Sequence, residues 1–419
     1  MNASRRSLSS RTPTGRRADV VVGGGGIVGA ACALALAREG LAVTLIEAGE
    51  PPVWSVDASD LRVYALAPDN VSLLETLGVW PSVRDARAHA YRRMRVWDAA
   101  GGDELRFDAD TLAEPQLGWI VEHALLQDRL WAALPAAGVA VRTGARVEGL
   151  ARAQDDQDVE ISQPDEGVTL LLDDGLRIEA RLAVAADGGN SRLRSLAGIE
   201  TDCSDYGQRG VVAYIGHAMP HEDTAWQRFL PTGPLAFLPC GPHADAPHVS
   251  SIVWTLPEAE AVRVLALDDE AFGRALTDAF AGRLGDCRPL SKRVGFPLRR
   301  EIARSFVAGR VLALGDAAHV VHPLAGQGVN LGLRDVAALA TSIADAQQRR
   351  VAWDGVHRLA RWARQRRSDG AASSQAFSVI NRVFSNDNLA LTLLRGHGLG
   401  LVGRLPPLSR ALWRHAAGR

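Results

Sequence analysis

Apolar positions form short dense runs at both ends of the chain and alternate with polar ones in the middle. Val20 to Val22 is an apolar β-branched run, expected as a buried strand. Gly24-x-Gly26-x-x-Gly29 then opens a helix from Ala30 to Arg38, which stops near Gly40, and Leu41 to Ile46 reads as a second strand closed by Glu47. Further on, Asn70 to Leu77 and Trp119 to Leu134 carry helical spacing, and Val139 to Val147 a short strand. From Tyr91 to Phe107 the alternation predicts a hairpin around Ala-Gly-Gly. From Val211 to Leu256 it predicts four strands: Val211 to Ile215, Trp226 to Leu230, Ala236 to Leu238 and Ser251 to Leu256. Asp269 to Leu284 reads as helix, and Val294 to Leu298 as a strand leading back to the first domain. Two small-residue strands end in acid-glycine pairs: Leu182 to Ala186 runs into Asp187-Gly188, and Val311 to Leu314 into Gly315-Asp316. After the second pair come His319, His322, Pro323 and Ala325-Gly326-Gln327-Gly328, with helical spacing from Val329 through Leu333, Val336 and Leu339.

This order predicts an α/β fold. A discontinuous Rossmann-like dinucleotide domain is expected over 18–90, 119–200 and 295–345, with an inserted β-rich substrate domain at 91–118 and 201–294 and a helical region at 346–419. The length of 419 residues fits two domains, and a hydrophobic content of 47% is ample for their cores. A formal charge of −1 argues against a nucleic-acid partner. Cys32, Cys203, Cys240 and Cys287 are scattered without metal spacing and read as reduced thiols in a cytoplasmic protein. The first seventeen residues hold five arginines, four serines and no acid, and are expected to be a disordered tail. Val20 to Ala37 is free of charge, but four consecutive glycines argue against a membrane span. The leucine-rich, arginine-bearing tract from Leu389 to Leu408 reads as a helix packed on the body, or as a contact with a partner or with the inner face of a membrane.

The chemistry follows from strand ends and helix starts. Glycines 24, 26 and 29 let a pyrophosphate approach backbone at a helix N-terminus. Glu47, about twenty residues on, stands where a carboxylate accepts hydrogen bonds from a ribose. Arg62 reads equally as a cofactor-phosphate ligand and as a solvated arginine. Asp187-Gly188 reads as a ligand-packed turn or a plain strand-to-helix turn. The amides of Gly326, Gln327 and Gly328 open a helix whose positive end suits a flat anionic ligand such as a reduced flavin. His319 is the titratable side chain of this block that could assist a phenol proton, or it only binds backbone. No third ligand completes a metal site with His319 and His322, so none is expected.

Together these motifs resemble the single-component flavoprotein aromatic hydroxylases of the para-hydroxybenzoate hydroxylase fold. More narrowly, YALAPDNVSLLETLGVW, LGWIVEHALLQDRLWAAL, LAFLPC, SIVWTL and GDAAHVVHPLAGQGVNLGLRD are similar to the ubiquinone-biosynthesis hydroxylases of the UbiH/UbiF/UbiI group, over residues 18 to 400. The resemblance implies FAD as cofactor, NAD(P)H and dioxygen as co-substrates, a polyprenylated phenol as substrate, and other ubiquinone-biosynthesis proteins as partners. It places Gly24, Gly26, Gly29 and Glu47 at the ADP half and Arg62 at the pyrophosphate. Asp187 and Gly188 fall where both nucleotides pass, Gly315 and Asp316 at the ribityl chain, and Gly326 to Gly328 with Asn330 at the flavin. The family reads Val-Glu-Asn where this chain has Val121-Glu122-His123, so His123 lies on the ribityl side in place of an asparagine. The tract from Ser251 to Arg310 looks like a C-5 hydroxylase, whereas AYRRMRVW and TAWQRFLP look like a C-6 enzyme. Three rival readings are a hydroxylase of a small soluble aromatic, a non-catalytic flavin-binding subunit, and an NAD-linked dehydrogenase. The last leaves Asp187-Gly188 and the Gly315-Asp316 block without a purpose.

Overall fold

The computed structural model describes residues 17–57, 60–101, 103–151, 167–243, 246–321 and 327–384. His322, Gly326 and the tract 389–408 lie outside these described residues.

The small apolar strands at both ends of the chain assemble one sheet of eight strands. Ala18–Gly23 lies at its centre, parallel to Val43–Glu47 on one side and to Arg177–Ala185 on the other. Val311–Ala313 extends the sheet beyond Arg177–Ala185, and Ala140–Thr143 beyond Val43–Glu47, both in parallel. The chain therefore turns opposite ways from the carboxyl end of Ala18–Gly23, and that reversal opens a crevice, the usual place for a dinucleotide in such sheets. Helix Ile27–Arg38 covers this sheet and is buried on nearly all sides, which its alanines and Gly29 permit. It packs against helices His123–Ala133 and Gln327–Gln348. At Gly332 a Cβ would stand 2.5 Å from Val28, so this glycine sets how closely the first and last of these helices approach.

The alternating middle of the chain forms a second sheet of nine strands. Its spine is Thr201–His217, paired antiparallel with Val249–Pro257 and with Val294–Ala303. Gly233–Cys240 and Thr224–Leu230 follow, and the hairpin Arg93–Asp98/Leu105–Asp108 completes the edge. The expected strands are thus found, each longer than its apolar run. Val294–Ala303 belongs to this sheet by pairing over its whole length, whereas the sequence suggested a return to the first domain from residue 295. Helices Glu258–Leu265 and Asp269–Ala279 cover one face through Phe237, Trp254, Phe272 and Phe280. The other face looks toward the first sheet. A third sheet of three strands, Val63–Leu66, His89–Tyr91 and Gly118–Glu122, touches Gly233–Cys240 of the second sheet and helix Gln327–Gln348. Its last strand takes up the start of a tract whose spacing suggested helix throughout; the helix begins only at His123.

One buried carboxylate ties the late elements together. Asp335, on Gln327–Gln348 and fully buried, accepts the amide of Gly315 at 3.0 Å, pairs with His319 Nε2 at 2.7 Å and accepts Arg366 Nε at 2.8 Å. Burial opposes charge on both His319 and Asp335. Their attraction outweighs it, so His319 titrates above its ordinary value and Asp335 below its own, with Arg366 adding to the latter. Removing one partner from a buried charge cluster leaves the others uncompensated, so Asp335→Ala should cost about 3–5 kcal/mol in urea unfolding. The His319 contribution is fully present below the unfolded histidine value of 6.5 and is lost as pH rises through its higher folded value. The stability advantage of the wild type over His319→Gln should therefore shrink above neutral pH; a gap independent of pH would contradict the charged pair.

Candidate active site

The crevice at the end of Ala18–Gly23 holds the glycine turn in a fixed shape. Gly24 has φ of 103°, and a Cβ there would lie 2.5 Å from the carbonyl oxygen of Ala186, so the turn and the end of Arg177–Ala185 touch backbone to backbone. A Cβ on Gly29 would lie 1.9 Å from the Gly24 carbonyl oxygen, which brings the helix equally close. A Cβ on Gly26 would meet nothing within 4 Å: the helix N-terminus is bare toward the cavity. Gly25 is pinned on both sides. Its amide donates to Glu47 Oε2 at 2.5 Å, and its carbonyl accepts Gln127 Nε2 at 2.9 Å and Trp131 Nε1 at 2.7 Å. Glu47 also accepts the Gly49 amide at 2.8 Å and lines the cavity. Glu47 thus faces the cavity and at the same time holds the glycine turn.

From this turn one continuous cavity of about 1440 Å³ runs past Arg62, His123, Asp187 and Asp316 to Gly328, and on to the open face of the nine-stranded sheet at Val212, Leu238, Ser251, Val253 and Phe296. Asp187 also acts within the protein. Its carboxylate accepts the Ser191 hydroxyl and the amides of Arg192 at 2.8 Å and Leu193 at 3.1 Å, which fixes the turn at Gly188 over the cavity. Asp316 makes no hydrogen bond among the described residues and is open to the cavity, with its Oδ1 3.9 Å from where a Gly328 Cβ would be. Although it is exposed to the cavity, protein crowds around it, and this desolvation raises its pKa above the ordinary 3.8, against the pull of His319. A carboxylate held in this way is an acceptor awaiting donors.

Opposite Asp316, Asp60 organises the approach. It accepts the amides of Arg62 at 3.0 Å and Ala124 at 2.9 Å. The Arg62 side chain is largely exposed at the cavity wall, with its Nε 3.9 Å from Asp60 Oδ1. His123 opens its helix with Nδ1 3.0 Å from the Tyr64 hydroxyl. Burial, with help from Arg62, lowers its pKa to about 4, so it is a neutral ring at physiological pH.

Three expectations are corrected. His319 is not at the cavity: it is 1% exposed, tied to Asp335, and cannot reach a substrate proton. Asn330 faces the other way. Its side chain accepts the Ala67 amide at 2.9 Å and the Asn70 side chain at 2.7 Å, and donates to the Ala65 carbonyl at 2.8 Å, joining the late helix to Val63–Leu66. Gly315 is buried behind the lining, packed on Val28 with its amide on Asp335. Gln327 contributes backbone at the start of its helix. Among the described residues, the groups that sequence reasoning missed are Tyr64, Gln127, Trp131 and Ser251. Gln127 and Trp131 had a readable signal, since they are spaced four apart on one helix face.

The chain matches the model of the FAD binding domain family over residues 17–369. It is 35% identical over 407 residues to the 3-demethoxyubiquinol 3-hydroxylase of Escherichia coli, covering 97% of this chain and 100% of that protein. It is 35% identical over 404 residues to the ubiquinone hydroxylase UbiL of Rhodospirillum rubrum, covering 96% and 90%. With the human mitochondrial ubiquinone biosynthesis monooxygenase COQ6 the identity is 32% over 439 residues, covering 95% and 92%. Among solved structures, p-nitrophenol 4-monooxygenase PnpA of Pseudomonas putida superimposes with a TM-score of 0.73 at 19% identity, covering 95% of this chain and 96% of that one. PqsL of Pseudomonas aeruginosa in complex with 2-aminobenzoylacetate gives 0.70 at 22%, covering 88% and 97%. The bare glycine turn, Asp316 without a hydrogen bond among the described residues and the volume of the cavity fit FAD, and the chain belongs to the FAD binding domain family as an FAD-dependent monooxygenase.

Proposed function

We propose that this monooxygenase hydroxylates the aromatic ring of a polyprenylated phenol in ubiquinone synthesis, at the C-5 or C-6 position, using NAD(P)H and dioxygen. The observation that carries the reading is the single cavity that joins the dinucleotide crevice to an apolar sheet face. At about 1440 Å³ it exceeds the roughly 300–1,000 Å³ usual for one small ligand, leaving room for a cofactor and a greasy ring together. The relatives' names support the substrate class.

Gly24, Gly26 and Gly29 would hold the pyrophosphate, Glu47 the adenosine ribose and Asp316 the ribityl hydroxyls, with Arg62 and Gly188 at the rim and the amide of Gly328 toward the ring. FAD, when bound, supplies the redox chemistry that passes electrons from NAD(P)H to dioxygen and delivers one oxygen atom to the ring. The protein's own part is placement and shielding. The glycine turn would hold the cofactor by backbone contacts, and Glu47, Gln127 and Trp131 keep that turn in place through Gly25. The apolar sheet face would receive the phenol ring and exclude water from it. Neutral His123, bonded to Tyr64, adds no charge of its own beside Arg62.

Asp316→Ala should fold and lose FAD affinity by tenfold or more, read as the flavin-to-protein ratio after desalting; full retention of flavin would remove Asp316 from the ribityl role. Ionised Asp316 is the acceptor, and its pKa is raised, so FAD affinity should fall as pH drops through a value above 3.8. Asp316→Asn should flatten that dependence. The substrate is tested by complementing strains that each lack one ubiquinone hydroxylase, with the accumulated precursor identified by mass spectrometry. Rescue of one strain names the ring position. Rescue of none, with FAD still bound, would contradict the substrate class.

A further inference from the structure

From the open face of the nine-stranded sheet we infer that Ser251 is the residue that recognises the ring hydroxyl of the substrate. This rests on the phenol reading above and adds to it the group that reads the phenol. Strand alternation puts Val212, Ser251, Val253, Leu238 and Phe296 on one face: Val212 pairs with Val253 and Leu238 with Ser251, and all five line the cavity. Gly210 sits under this patch, and a Cβ there would press to 2.8 Å from the Phe296 ring, so the glycine seats that aromatic.

Within this apolar wall Ser251 is 1% exposed, and its hydroxyl has no hydrogen-bond partner among the described residues. The other polar groups nearby are engaged. Tyr214, opposite Ser251 on the neighbouring strand, donates to the Asp60 carbonyl at 3.0 Å, and the Cys240 thiol to the Leu238 carbonyl at 3.5 Å. A buried hydroxyl without a partner costs free energy, and a sheet of this composition could hold alanine or valine at the same place without that cost. A ligand that brings its own hydroxyl removes the penalty; one without a hydroxyl leaves it standing. The result is selection for phenols over unoxygenated rings, and it places the ring on the sheet side of the cavity, away from the glycine turn. Ser251 is therefore a positioning and specificity residue, and the chemistry of oxygen transfer does not pass through it.

The test compares binding of a short-chain prenylphenol with that of the same prenylbenzene lacking the hydroxyl, read by the change in flavin absorbance of FAD-loaded protein without NAD(P)H. Wild type should bind the phenol at least tenfold more tightly. Ser251→Ala should bind both alike while keeping its full flavin content, and Ser251→Thr should restore the preference. If Ser251→Ala keeps the wild-type preference, the assignment of Ser251 is wrong and the phenol reading survives. If wild type binds neither probe, the phenol reading fails and the inference falls with it.

Discussion

Everything at the active site depends on how closely two backbones meet at the end of the first strand. The turn at Gly24 rests on the Ala186 carbonyl in a backbone conformation that side-chain-bearing residues rarely adopt. That contact brings the carboxyl ends of three parallel strands to one crevice, so Glu47, Asp187 and Asp316 converge although 269 positions separate the first from the last. A side chain at Gly24 or Gly29 would separate the layers and disperse the three carboxylates. The three have different duties. Glu47 both locks the turn and faces the cavity, Asp187 holds its own helix, and Asp316 is left open.

The second constraint is the placement of the nine-stranded sheet against that crevice. One of its faces is sealed by two helices and an aromatic core, and the other is left to line the cavity. Apolar burial therefore fixes which side of each strand can touch a ligand. The cluster of Asp335, His319 and Arg366 sits behind the lining and keeps Gly315 in place, so Asp316 is presented by a backbone anchored in the core. Structural charge stays in the interior and ligand-facing charge at the cavity wall.

Much of this was legible in the sequence because it follows from local rules. Glycine spacing, an acid at a strand end and alternation in the middle of the chain predicted both sheets, the crevice, and the positions of Glu47 and Asp316. Side-chain direction in the late strand and helix around Asp316 was not legible. His319 and Asn330 sit among small residues close to Asp316, and nothing local says that they turn to Asp335 and to Val63–Leu66 while Asp316 turns to the cavity. Their partners lie 16 and 265 positions away. Ser251 was hidden for a related reason. In an alternating strand a serine on the ligand face looks like any small residue, and only pairing with Tyr214 and Leu238 shows which face it occupies. The strand Gly118–Glu122 was missed because its apolar residues run directly into a helix, and pairing with two other strands outweighs the helical spacing.

The central claim is that cofactor and phenol share one cavity, so that oxygen passes from dioxygen to the ring inside it. The most direct measurement is turnover of a prenylphenol by the FAD-loaded protein with NAD(P)H under oxygen-18 gas, with the product weighed by mass spectrometry. The account predicts one oxygen-18 atom in each hydroxylated ring, and NAD(P)H consumption that rises when the phenol is added. Product oxygen drawn from water, or NAD(P)H oxidation unaffected by any phenol with no ring product formed, would contradict it.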